Sequence, residues 1–157
     1  MITILIIKLG ALGDVLRTTC ILPGLHRKYT NLEISWLTHK SAVCLLEDNP
    51  LIDTVIPMVD QHLYTLKKSS FDLIINLDDE TTACEIAATL QTKQLFGAYQ
   101  KNGNPRYTKD SSSWFDMSLI STLGKEEADK RKKLNQFSYP ELLFQGLKIS
   151  PSDPSLH

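Results

Sequence analysis

No apolar run in this chain is long enough to cross a bilayer. Its runs reach about 4–7 residues, where a spanning helix needs about 20. No basic region precedes the first apolar run at Met1–Ile2, so the start does not read as a signal peptide. No sign of charge dominates: Lys and Arg number 17 against 18 Asp and Glu, a formal net charge of -1, which gives no reason to expect nucleic acid. Cysteine is scarce. Cys20, Cys44 and Cys84 form no CxxC and no Cys/His cluster, so no metal site is expected, and their apolar, helix-like contexts predict reduced, buried thiols in the cytoplasm. The G-x-G-x-x-G fingerprint is missing too. Leu12 and Val15 stand where its second and third glycines would be, and Thr38-His39 stand where a ribose-binding acid would follow the second strand. A Walker loop and internal repeats are also absent.

What is present is a soluble-type composition, 42% hydrophobic and 22% charged over 157 residues, enough for one domain with a real core. Strand-like and helix-like periods alternate. Ile2–Ile7 is a continuous apolar run, as in a parallel strand buried on both faces. Asp14 to Tyr29 reads as a helix, with a kink or break expected at Pro23, which lacks an amide proton and crowds the Thr19 carbonyl. Strands are predicted at Ile34–Leu37, Thr54–Pro57, Phe71–Leu77 and Gln94–Ala98, with helices at Ser41–Glu47, Gln61–Lys68 and Thr81–Leu90 between them. That alternation argues an α/β fold with a doubly wound parallel sheet of about five or more strands. Lys101–Ser113 is polar and reads as a long loop, followed by helices at about Phe115–Leu123 and Glu126–Leu134 and a last one at Tyr139–Gly146, with Gly146 at its end. Residues 1–149 are therefore expected to form the domain, and 150–157 a linker or tail.

The chemistry concentrates at Lys8-Leu9-Gly10-Ala11-Leu12-Gly13-Asp14. An apolar strand ends at a lysine, a glycine turn follows, and a carboxylate stands at the head of an amphipathic segment, the edge where open α/β sheets place their ligands. Gly10 and Gly13 serve either close backbone approach to a ligand or turn geometry alone. Asp14 is either a general base or a helix cap. Lys8 and Arg17 lie near the same rim, as candidates to hold an acidic or phosphorylated acceptor, or as an exposed strand end and a solvated helix face. Asp78, Asp79 and Glu80 follow the fourth strand on that edge, to bond acceptor hydroxyls or to cap the next helix. Arg106 and Tyr107 stand in the polar loop, as part of a lid or as plain surface. The charges from Lys125 to Lys133 have i,i+4 order at Glu126–Lys130, Glu127–Arg131 and Asp129–Lys133, as on a solvated helix face, and Trp36 and Trp114 read as packing residues.

The segment Lys8 to Leu16 resembles the amino-terminal motif of family 9 glycosyltransferases, the ADP-heptose:lipopolysaccharide heptosyltransferases among them. The resemblance continues through Arg17-Thr18-Thr19, Glu33 to Thr38, Asn49-Pro50-Leu51-Ile52-Asp53, Phe71 to Asp78, Trp114 to Leu119 and Tyr139 to Phe144. It implies one half of a GT-B architecture: a Rossmann-like acceptor-binding domain with extra C-terminal helices, facing a donor-binding domain that this chain lacks. It implies inverting, metal-independent transfer, with Asp14 as base. The donor would be a nucleotide sugar such as ADP-heptose, held through the missing domain. The acceptor would be a saccharide or glycolipid at the inner membrane face, reached from the cytoplasm by peripheral contact at most. The chain alone is expected to be inactive, and a face that lacks its domain neighbour is a candidate for self-association. The alternative is a non-catalytic Rossmann-like module that binds sugar or nucleotide.

Overall fold

The computed structural model describes residues 1–151. Six strands form one sheet: β1 (Ile2–Ile7), β2 (Leu32–Thr38), β3 (Thr54–Pro57), β4 (Ser70–Asn76), β5 (Gln91–Lys101) and β6 (Asn104–Tyr107). Their order is β3-β2-β1-β4-β5-β6. The first five pair in parallel, and β6 runs antiparallel to β5. Chain direction reverses its march across the sheet between β1 and β4. That is the switch point, where a crevice opens outside the carboxyl ends of the strands.

Alternation along β1 divides the core. Ile4 and Ile6 face one side, with Ile34, Trp36 and Ile75 of the neighbouring strands, while Leu5 and Ile7 face the other, with Leu37 and Ile74. The first side is covered by α1 (Leu12–Thr18), α2 (Leu22–Lys28), α3 (Val43–Leu46) and, from the far end of the chain, α8 (Tyr139–Leu147). The second is covered by α4 (Asp60–Lys67) and α5 (Thr81–Thr89). Both faces are buried at the middle of the sheet, which is why Ile4–Ile7 and Leu73–Ile75 are apolar whichever face they point to.

Several local expectations change. The first helix starts at Leu12, two residues before Asp14, so Asp14 lies in the first turn, and its side chain makes no capping bond. The break at Pro23 is real. α1 gives way to a 3-10 turn at Thr19–Ile21, and α2 restarts with Pro23 in its first turn, where a missing amide proton costs nothing. The supposed loop after Lys101 is a hairpin. Asn102 and Gly103 both have positive φ, 52° and 76°, and form a two-residue connection between β5 and β6. The helix expected at Phe115–Leu123 is only a short α6 (Ser112–Phe115) that runs into turns. α7 (Lys125–Leu134) matches its expectation. α8 is capped at its start by Ser138, whose hydroxyl accepts from the Glu141 amide. It ends on Lys148 in a left-handed conformation; Gly146 lies inside the helix, where a Cβ would meet the Asp110 carbonyl oxygen at 2.7 Å. Of the cysteines only Cys84 is buried: Cys20 is half-buried and Cys44 exposed, because α3 turns it outward. The predicted tail lies mostly outside the described residues. Ile149 before it packs into the core, and the Ser150 carbonyl accepts from Arg27.

Candidate functional site

The carboxyl-end rim of the sheet is built on one buried carboxylate. Asp78, 1% exposed, follows β4 and reaches across to the turn after β1. Its Oδ2 accepts from the Leu9 amide at 2.9 Å and the Gly10 amide at 3.4 Å, and its Oδ1 accepts from the Glu80 amide at 3.0 Å. From the other flank, β2 fastens the same turn: the His39 amide and the Thr38 hydroxyl both donate to the Leu9 carbonyl. Lys8 leans over this arrangement, with its Nζ 3.3 Å from the Leu77 carbonyl and 3.9 Å from Asp78 Oδ2. Asp78 therefore leaves the list of acceptor-binding candidates, since its oxygens are spent on backbone amides in the interior. Its neighbour Asp79 is the acid that faces outward there.

Above the rim lies a cleft of about 540 Å³. Lys8, Asp14, Arg17, Leu77 and Asp79 supply its floor from the strand ends and α1. The opposite wall is the segment after the hairpin. It brings Trp114, Met117 and Leu119, then one face of α7 through Lys125, Ala128, Asp129 and Lys132, and finally Phe137 and Tyr139. The spacing 125, 128, 129, 132 is i, i+3, i+4, i+7, one helical stripe. Of the three ion pairs expected along α7, the side chains form Glu127–Arg131, at 3.1 Å; Arg131 also lies 3.6 Å from Asp116. The helix is thus not merely a solvated face, since two of its lysines and one aspartate look into the cleft. This wall was not foreseen from the sequence. Its signal was the alternation of aromatic residues, Trp114, Phe137 and Tyr139, with a helix carrying cations at i and i+7.

Asp14 stands on the lip. Its side chain is 46% exposed and accepts a 2.9 Å hydrogen bond at Oδ1 from Arg17 Nη2. Arg17 in turn lies over the Tyr139 ring, 4.2 Å from its centroid. Burial pushes the Tyr139 phenol well above its ordinary range, so it stays protonated. The Thr18 hydroxyl spends its one proton on the Asp14 carbonyl at 2.7 Å, so the Tyr139 hydroxyl, 2.7 Å from Thr18 Oγ1, is the donor in that contact. Beside them burial pushes the Cys20 thiol up to about 11, which keeps it an inert neutral group.

The remaining predicted residues scatter. Gly10 makes room for a side chain: a Cβ there would sit 3.3 Å from His39 Cδ2. Gly13 is exposed, and a Cβ there would meet nothing within 4 Å, so packing gives no reason for a glycine at this place beside Asp14. Glu80 is exposed and faces His39 at 3.5 Å. It does not line the cleft. Arg106 is exposed on the edge strand β6, hydrogen-bonded to its neighbour's carbonyl, and does not line the cleft either. Tyr107 organises the wall from beneath: its hydroxyl donates to Asp116 at 2.6 Å and accepts from the Thr122 amide. Among the described residues, no three His, Cys, Asp or Glu side chains gather where they could hold a metal ion, and no helix is long and apolar enough to cross a membrane.

No family model matches the chain. Lipopolysaccharide heptosyltransferase 3 of Escherichia coli strain K12 is 27% identical to it over 105 residues, covering 56% of this chain and 30% of that protein. E. coli heptosyltransferase WaaC, in a structure with ADP-2-deoxy-2-fluoro heptose, superposes with a TM-score of 0.63 at 13% identity, over 97% of this chain and 50% of that one. A second WaaC structure, with ADP, gives a TM-score of 0.55 at 15% identity over 61% of this chain and 35% of the other. The chain thus spans half or less of the length of the proteins it matches. In sequence and in fold, it resembles the heptosyltransferases of glycosyltransferase family 9.

Proposed function

We propose that this chain is the acceptor-side half of a heptosyltransferase-like glycosyltransferase, with Asp14 as the general base. The observation that carries the reading is Asp14 itself: a half-exposed carboxylate at the lip of a 540 Å³ cleft, at the sheet's switch point. The acceptor, a saccharide or glycolipid, lies in the cleft between Lys8 and Arg17 on one side and the Trp114–Tyr139 wall on the other. Gly13, without a side chain, leaves its hydroxyl a close approach to the carboxylate. The donor is a nucleotide diphosphate sugar held by a second domain. The WaaC structures, with ADP and an ADP-heptose analogue, support that donor class.

The reaction is a single displacement. The acceptor oxygen forms a bond to the anomeric carbon while the bond from that carbon to the diphosphate oxygen breaks, and Asp14 takes the hydroxyl proton. A base on the acceptor face and a leaving group on the opposite face give inversion, by analogy with inverting hydrolases. Aspartate is a weak base toward an alcohol, so positioning supplies much of the rate. The site works at the cytoplasmic face of the membrane, with peripheral contact only. Alone, the 157-residue chain binds acceptor and transfers nothing.

The test is Asp14→Asn in a version completed by a donor-binding domain. The reading expects acceptor binding to persist and turnover to fall by about 10²–10⁴-fold, the usual worth of a positioned base. Unchanged turnover would reduce Asp14 to a residue of the first helical turn.

A further inference from the structure

Arg17 is held in an unusual balance. One side of the pairing is rigid. The Tyr139 ring under the guanidinium is 7% exposed, its hydroxyl is bonded to Thr18, and Trp114 packs edge-on against it with centroids 4.7 Å apart. The other side is loose. The Asp14 carboxylate meets Arg17 through a single contact at 2.9 Å, and the two side chains are 46% and 49% exposed. Exposed pairs of this kind hold weakly. A guanidinium carries five N–H donors in a fork that suits a two-oxygen partner, and the contact with Asp14 uses one nitrogen. Arg17 also lines the cleft together with Lys8, Lys125 and Lys132. A ligand oxyanion that engages the fork with two oxygens is a stronger partner than the monodentate aspartate.

We propose that Arg17, set on the Tyr139 ring, is an anion receptor that Asp14 occupies while the cleft is empty. An oxyanion on the acceptor, phosphoryl or carboxyl, takes the guanidinium and releases the Asp14 carboxylate to face the acceptor hydroxyl. Arg17 then acts as a positioning and specificity residue: a neutral acceptor leaves the base latched. The release of a base rests on the function proposed above, whereas the receptor does not.

The experiment titrates the 157-residue chain with inorganic phosphate and, separately, with sodium acetate at fixed ionic strength, following the Arg17 Nε and Asp14 amide signals by NMR. Saturable shifts at both are expected, and the stronger arm tells a phosphoryl ligand from a carboxyl one. Arg17→Gln should weaken binding by about 10-fold. Asp14→Asn should strengthen it by about 2–5-fold, because the internal competitor is gone. Asp79→Asn removes the same charge from the same cleft without touching Arg17, and should strengthen it less. Should Arg17→Gln fail to fold, Arg17→Lys keeps the charge, loses the fork, and should still weaken binding several-fold. An Arg17 signal that ignores both anions overturns the proposal, as does an affinity that rises no more in Asp14→Asn than in Asp79→Asn. Turnover of Asp14→Asn in a two-domain version judges the base separately, so the two readings fail independently.

Discussion

The two ends of the sheet place the same side chain in opposite settings. At the amino-terminal end Asp72 is fully employed. It accepts from the Thr3 amide at 2.9 Å and the Thr3 hydroxyl at 3.2 Å, and Lys93 lies 2.8 Å away. The Lys93 contact and the Thr3 amide hold its carboxyl down at about 2. At the carboxyl-terminal end, Asp14 has one exposed arginine and open space. Asp78 shows that the end of the sheet does not decide the role by itself. It sits on the same carboxyl-end rim, yet it is buried and spent on the backbone. A carboxylate whose oxygens are all taken belongs to the fold, and one with an oxygen to spare is available for chemistry.

The contrast can be broken most violently from beneath the rim. Gly97 pairs with Asn76 in β5 at φ 108°, and a Cβ there would fall 1.9 Å from the Asn76 carbonyl oxygen. Gly97→Ala should therefore leave no cooperative unfolding transition by circular dichroism, since backbone cannot move aside as a side chain tip would. Next comes Asp78→Ala, which strands the Leu9, Gly10 and Glu80 amides. A loss of about 3 kcal/mol is expected by urea denaturation, given charge-assisted bonds and buried donors left unmade. Asp14→Asn is the counterpart on the same rim. It should shift stability by less than about 1 kcal/mol, as exposed pairs do. A large loss there would make Asp14 another structural carboxylate.

The smallest effect sharpens the comparison through pH. Asp72 is lowered from an ordinary 3.8 to about 2, so the folded state favours its ionised form. Its contribution is complete above pH 3.8 and is lost as pH falls through about 2. Asp72→Asn should lower Tm at neutral pH, and the gap from the parent should close between those two values. A gap that stays constant down to pH 2 would show that the Thr3 and Lys93 contacts do not depend on charge.

Most of the sheet was legible because burial on both faces leaves a one-letter signature. Ile4–Ile7 and Leu73–Ile75 are apolar without interruption, and nothing competes with that pattern. The lip of the site was legible for a related reason: Lys8 ends such a run, and Asp14 and Arg17 follow just beyond the glycine turn. The wall was not. β6 is only Asn104–Tyr107, polar and paired on one side, so no periodicity betrays it. Asn102-Gly103 was the available sign of a hairpin, hidden among other loop-forming residues. Asp78 and Asp79 read alike in sequence, and only the three-dimensional path of the Leu9–Gly10 turn separates the buried one from the open one. α7 looked like surface because charge is what surface and cleft share.

Both outermost strands are only four residues long, and each carries a proline. β3 closes on Pro57, and β6 holds Pro105 beside Arg106. A fibril grows by adding strands to a long bare ladder of amides, and a short margin interrupted by an imide and a cation is a poor seed. The hairpin that leads into the cleft wall thereby also closes one margin of the sheet, leaving it little bare ladder on which a further strand could add.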